Sequence, residues 1–262
     1  MKNRGLIITL IVLLIIIIIL LMLFLYFYLS GSIGFKNWSV NKSSSVIFEE
    51  SYELEAVENL EILSTAGDIK FEESLDGKIK VLVYGEDAEE LKVDFENQKL
   101  RVDYSQYKNK RWFGMNFYMN DMIVYLPKEY AKEINVKANY GDIKGIDLEN
   151  GTIRIEEDCG DVTFGKVKNA FVKNHYGNIK IESVGNKVEV TSDCGDVKIG
   201  SLTIMEDSSI ENNLGDIKIG ETNEIFVDAK TSLGDVKVNQ NNRHSEVTLK
   251  IKNDCGDIKV EN

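Results

Sequence analysis

Histidine is nearly missing from this sequence: His175 and His244 are the only two, and each reads as a surface or turn residue. Histidine-based acid–base chemistry therefore has little to work with. No H-E-x-x-H, G-x-S-x-G, P-loop or C-x-x-C spacing occurs either. That absence removes the zinc-peptidase, nucleophile-elbow, nucleotide-phosphate and dithiol readings. Acidic pairs such as Glu72-Glu73 and Glu156-Glu157 are common in a chain with 43 acidic residues, so they single out no site. Basic residues number only 31, and the formal net charge is −12. Lys2 and Arg4 are the only charges in residues 1–30, which leaves about −14 on the remainder. Such a surface stays soluble and argues against nucleic acid or a bulk anionic membrane as the main partner. Cysteine is scarce too: there are three, an odd number that cannot pair completely within one chain.

The start of the chain has the opposite character. Residues 6–29 read LIITLIVLLIIIIILLMLFLYFYL, and no charge lies between Arg4 and Lys36. A helix of this length exceeds the roughly 30 Å hydrocarbon core of a bilayer. It also exceeds the apolar region of a cleavable signal peptide, and no A-x-A-like site follows. The expected organisation is a cytoplasmic N-terminus over 1–5, one transmembrane helix over 6–30, a linker over 31–47 and an extracytoplasmic domain over 48–262. Lys2 and Arg4 place the short N-terminus inside by the positive-inside rule. Tyr26, Tyr28, Phe35 and Trp38 suit the outer headgroup layer.

Beyond the linker the sequence repeats itself. AGDIKF (66–71), YGDIKG (140–145), CGDVTF (159–164), YGNIKI (176–181), CGDVKI (194–199), LGDIKI (214–219), LGDVKV (233–238) and CGDIKV (255–260) align on Gly-Asp. From Gly141 onward the glycines are 19, 17, 18, 20, 19 and 22 residues apart. Glycine permits positive φ at a corner, and the alternation after it has the period of a strand. A second alternating run, such as TIRIE at 152–156 or KVEVTS at 187–192, fills the rest of each unit. Two short strands per unit predict an all-β β-solenoid whose coils of about 17–22 residues stack in parallel at roughly 4.8 Å.

Stacking turns each repeat position into a column. The residue before glycine is Tyr140, Cys159, Tyr176, Cys194, Leu214, Leu233 or Cys255, so cysteine behaves as a small hydrophobe in a ladder. Cys159 and Cys194 should lie two coils apart, roughly 9–10 Å, which is beyond disulfide reach and too dispersed for a metal. The Asp column comprises Asp68, Asp142, Asp161, Asp196, Asp216, Asp235 and Asp257, with Asn178 once. It lacks the second glycine and the nine-residue period of calcium-binding solenoids. Lys70, Lys144, Lys180, Lys198, Lys218, Lys237 and Lys259 follow two positions later and offset its charge. Neither metal nor cofactor is expected.

One segment breaks the period. Residues 46–100 read as the first coil with antiparallel excursions, followed by YSQYKNKRWFGMNFYMNDM at 104–122. Lys108, Lys110 and Arg111 sit there among Trp112, Phe113, Phe117 and Tyr118, the candidate partner-binding residues on an otherwise acidic domain. The competing reading is a cap over the first coil. At the other end the chain stops at DCGDIKVEN, where an open coil would offer unpaired backbone groups for self-association.

The recurring G-D-[IV]-x-[IVF] units and the segment IVYLPKEYAKEINVKANYGDIK at 123–144, with its Leu126-Pro127, resemble the bacterial putative adhesin domain family over residues 48–262. The resemblance implies a right-handed-type β-solenoid at the cell surface, associated in some members with envelope-stress systems, and offers no catalytic residues. The expected function is non-enzymatic: adhesion, envelope sensing or scaffolding, with a cell-wall polymer or envelope protein as partner. A carbohydrate-active β-helix enzyme and a self-assembling scaffold are the alternatives.

Overall fold

Inward apolar and outward polar residues alternate on either side of each glycine, and each side becomes a strand. The computed structural model describes residues 41–42, 45–85, 88–105 and 118–261. The expected membrane span over 6–30 lies outside the described residues. Among the described residues no helix is long and apolar enough to cross a membrane.

Strands that precede the corner form one parallel column. In spatial order it runs Lys99–Tyr104, Asn59–Ser64, Glu133–Tyr140, Leu148–Cys159, 169–176, 187–194, Ser208–Leu214, Thr248–Cys255 and Phe226–Leu233. Strands that follow the corner form a second. It runs Met122–Leu126, Ile69–Glu73, Ile143–Lys144, 162–167, 179–184, Val197–Leu202, Ile217–Thr222, Ile258–Val260 and Val236–Val238. Each winding thus gives one strand to each column, and the inward side chains of both merge into a single core. The result is all-β and solenoid-like.

Core packing follows the columns. Ile62, Val136, Ile155, Val172, Val190, Ile210 and Ile251 are buried at successive rungs, each worth about 1.5–3 kcal/mol of burial. Gly145 is the one rung without a side chain between Phe71 and Phe164. Their rings meet across it with centroids 5.9 Å apart, and a methyl at Gly145 would lie 2.0 Å from the Phe164 ring.

The windings do not stack in sequence order. At the N-terminal end the first winding in sequence, 59–73, lies inside, and the later strands Lys99–Tyr104 and Met122–Leu126 lie outside it. At the other end, strands Thr248–Cys255 and Ile258–Val260 insert between the Leu214 winding and the Leu233 winding. The expectation that DCGDIKVEN forms the open end is therefore corrected: the edge consists of Phe226–Leu233 and Val236–Val238.

The two ends are finished differently. Antiparallel strands close the first, as expected for 46–100: Lys92–Glu96 pairs with Lys99–Tyr104, Lys78–Tyr84 with Met122–Leu126, and Val46–Glu53 with Lys78–Tyr84. At the far end the loop after Val238 covers only the start of the edge strand. There the Asn241 side chain substitutes for a neighbouring strand, accepting from the Val227 N–H at 2.9 Å and donating to its carbonyl at 2.8 Å.

Candidate functional site: the glycine corner

A chain that turns sharply between two strands leaves its corner amides without strand partners, and buried amides need partners. This fold solves the problem identically at almost every winding. The glycine N–H donates to the carbonyl just before the next corner, as from Gly177 to Cys194 at 2.9 Å and from Gly215 to Cys255 at 3.0 Å. The following aspartate accepts, through its carboxylate, the N–H of the next aspartate in the column. Asp68 takes Asp142 at 3.1 Å, Asp142 takes Asp161 at 3.1 Å, Asp196 takes Asp216 at 2.9 Å, Asp216 takes Asp257 at 2.9 Å and Asp257 takes Asp235 at 2.9 Å. Asn178 performs the same task through its amide oxygen, accepting from Asp196 at 3.0 Å. Asp121 begins the ladder by accepting from Asp68 at 3.1 Å, with Asn120 in the place of the glycine.

This explains why the repeat is Gly-Asp. Seven of the corner glycines carry φ between 127° and 146°, where a side chain is strained. Corners also stack tightly enough that a methyl on Gly195 would lie 2.0 Å from the Gly177 carbonyl oxygen. The aspartate column is thus engaged along the stack rather than gathered round a point. Among the described residues no cluster of His, Cys, Asp or Glu could hold a metal ion. The anticipated Asp–Lys pairing is realised as an ion pair at Lys144–Asp142, 3.2 Å.

A second polar column lies beneath the corner, and sequence reasoning missed it. Three residues before each glycine stand Ser64, Ala138, Glu157, Asn174, Ser192, Asn212, Asn253 and Thr231, in register. Asn174 donates to the Gly160 carbonyl at 2.9 Å, Asn212 to Gly195 at 3.0 Å, Asn253 to Gly215 at 2.8 Å and Thr231 to Gly256 at 3.0 Å. The available signal was a small or amide residue at an inward position of each alternation. Glu157 is the acidic member, and its carboxyl is pushed up to about 7 by burial, with Asp158 and Asp142 adding to the rise. Its Oε1 accepts the Cys159 N–H at 3.2 Å, whereas Oε2 is buried without a partner.

Above the corner the column before glycine is exposed. The three cysteines are free and solvent-facing, and Tyr140, Tyr176, Leu214 and Leu233 are 52–69% exposed. The register puts one rung between Cys159 and Cys194, so the predicted two-coil separation holds. His175, in the neighbouring column, donates from Nδ1 to the Asp193 carboxylate and lies 4.0 Å from Asp158.

Six of the seven expected partner-binding residues, Lys108, Lys110, Arg111, Trp112, Phe113 and Phe117, lie outside the described residues. Tyr118 begins the short strand Tyr118–Met119, which pairs in parallel with Asn41–Lys42. A polar cavity of about 470 Å³ opens between Thr222–Ile225 and Gln240–Asn242, and Glu224 is the one carboxylate among its lining residues. Retaining and inverting glycosidases use a pair of carboxyl groups.

Residues 57–262 match the sequence profile of the Toastrack DUF4097 family. The chain belongs to that family. The Toastrack match covers the windings and their corners, and meets the family resemblance expected from the Gly-Asp units and Leu126-Pro127. No curated protein matches the chain. Three solved structures share coverage with this Toastrack chain. A putative adhesin from Bacteroides fragilis has 17% identity and a TM-score of 0.46, over 83% of this chain and 98% of that one. A putative lipid binding protein from Parabacteroides distasonis has 13% identity and a TM-score of 0.42, over 81% and 96%. A putative cell adhesion protein from Clostridium sporogenes has 15% identity and a TM-score of 0.37, over 83% and 99%. At such identities those names describe those proteins, not this one.

Proposed function

We propose that the chain is a single-pass membrane protein, anchored by residues 6–30, that presents a non-enzymatic, adhesion-like platform outside the membrane for an envelope polymer or protein. One observation carries the reading. The repeated side chains that could have supplied chemistry serve the stack itself, from Asp121, which accepts from Asp68, to Asp257, which accepts from Asp235. What remains outside is a row of near-identical rungs, which suits recognition over an extended surface better than catalysis in a pocket. The uncharged N-terminal run supports the anchor. The test combines protease accessibility of the full-length protein in intact cells with pull-down on cell-wall fractions. Cleavage of the repeats from outside and retention by the wall are expected. Protection from external protease would overturn the topology, and a protein that binds no envelope fraction would overturn the adhesion-like role.

Self-association through the solenoid edge is a second reading, now at residues 226–238. In every inner winding the residue after aspartate donates its N–H to the next winding, as Val197 does to Asp216 at 2.9 Å. Val236 holds that position at the edge. Val236→Pro removes this outward donor, so it should lower any edge-mediated oligomer in sedimentation while leaving the fold intact. An oligomer that persists in the variant rules the edge out.

A further inference from the structure

The exposed corner column has an order that only the stacking reveals. Along the chain it reads Tyr140, Cys159, Tyr176, Cys194, Leu214, Leu233, Cys255. Along the stack it reads Tyr140, Cys159, Tyr176, Cys194, Leu214, Cys255, Leu233, because the last winding inserts before the Leu233 winding. Ala66 extends the series, since the Gly67 N–H donates to the Tyr140 carbonyl. Large and small residues therefore alternate without exception over eight rungs. The surface is a ridge of Tyr and Leu side chains notched at Cys159, Cys194 and Cys255. At about 4.8 Å per rung the notches recur every ~9.6 Å.

The ridge is flanked by acid on both sides. The column before it holds Asp158, Asp193 and Asp254, with Asn139, His175, Asn213 and Ser232. The column beyond the glycine holds Asp142, Asp161, Asp196, Asp216, Asp257 and Asp235, with Asn178. Neither row itself contains Lys or Arg. The lysines stand two positions further out, where Lys144 pairs with Asp142 at 3.2 Å and Lys252 with Asp254 at 3.6 Å. The rows that directly border the ridge thus stay acidic, and the outer faces are mixed. Two copies laid ridge to ridge would bring acidic columns against acidic columns in either orientation, which disfavours a second copy. An exposed apolar ridge between two anionic rows complements a segment of the opposite pattern.

We propose that this ridge docks a cationic amphipathic helix, its apolar side chains seated over the cysteine notches and its Lys or Arg side chains against the flanking aspartates. Seven residues of α-helix advance about 10.5 Å, within ~1 Å of the notch interval, so a heptad-spaced apolar stripe reaches all three notches. The proposal deepens the platform reading and rests on it. The assay uses a defined peptide rather than an envelope fraction, so failure of this site and failure of adhesion are separable.

The probe is a synthetic peptide of about 21 residues with Leu at heptad core positions and Lys elsewhere, roughly 31 Å long as a helix. Full-length protein in one non-ionic detergent is titrated by fluorescence anisotropy, and iodoacetamide labelling of Cys194 is followed by mass spectrometry. The peptide should bind and slow Cys194 alkylation, and the same peptide with Glu for Lys should not. Asp161→Asn with Asp196→Asn removes two charges while keeping the acceptor that Asn178 already supplies. This pair should weaken binding about fivefold to tenfold at low salt, with the difference fading at high salt. Tyr176→Ser with Leu214→Ser should abolish protection, and unchanged urea midpoints would show that both variants fold. Unslowed alkylation, equal protection by the Glu peptide, or indifference to the Asp→Asn pair would overturn the proposal. Protection that grows with protein concentration alone would assign the ridge to a second copy instead.

Discussion

Asp257 donates its backbone N–H to the Asp216 carboxylate at 2.9 Å, across 41 residues of chain. That bond bypasses the Leu233 winding, which lies on the far side of Asp257 and donates to it through Asp235 at 2.9 Å. The C-terminal strands are thus held on both sides, in the interior of the stack.

Ending the chain before residue 248 should consequently do more than trim an edge. It removes Leu249, Ile251, Ile258 and Val260 from the core and leaves the 226–238 winding with no partner. Cooperative urea unfolding of the repeats should be lost or strongly shifted. An unchanged midpoint and slope would contradict the inserted position of the last winding.

Asp196 and Asn178 provide a comparison within one ladder. Asp196→Asn keeps an acceptor for the Asp216 N–H and should stay within about 0.5 kcal/mol of the parent. Asp196→Ala leaves that amide without its partner and should cost about 1 kcal/mol. Chemical denaturation of the two variants side by side checks the ordering. A costly Asn variant would mean that the charge, rather than the acceptor, is what the column needs.

Gly195 has φ of 143° and would place a methyl 2.0 Å from the Gly177 oxygen. Backbone strain and overpacking combine at that position, so Gly195→Ala should lose roughly 2–5 kcal/mol. Gly185→Ala is the control, since its nearest neighbour is 3.8 Å away, and should change stability little. Equal effects at both positions would remove corner stacking as the reason for glycine.

Glu157 predicts a pH dependence. Its carboxyl is raised from 4.5 to about 7, by burial first and then by Asp158 and Asp142. The folded protein therefore holds this proton more tightly than the unfolded chain. The contribution is fully present below about pH 4.5 and is lost as pH rises towards 7, with a slope of at most roughly 1.4 kcal/mol per pH unit. Glu157→Gln should flatten the profile between those limits, and its amide could donate to the Gly141 carbonyl as Asn174 does to Gly160. Parallel profiles for parent and variant, measured as urea midpoints against pH, would exclude Glu157 as the titrating group.

Much of the architecture was readable residue by residue. The alternation in KVEVTS and DVKIG marks two strands, and Gly195 between them marks the corner. The antiparallel excursions before residue 100 also followed from their longer alternating runs. The polar column from Ser64 to Thr231 was harder to see, because an inward asparagine in one repeat looks like noise until the repeats are stacked. The exposure of Cys159, Cys194 and Cys255 was not readable either. A residue next to a corner obeys neither strand parity, and only the turn geometry decides whether it points into the core or over the edge.

Local pattern alone determined the strands, the corners and the stacking period, because side-chain alternation and glycine's positive φ act within a few residues. Which winding neighbours which was decided by the tertiary structure. Every Gly-Asp rung offers the same amide, carboxylate and carbonyl, so Asp216 could satisfy Asp235 as well as Asp257. Near-identical units leave their order open in the sequence, and long-range packing at the two ends of the stack resolves it.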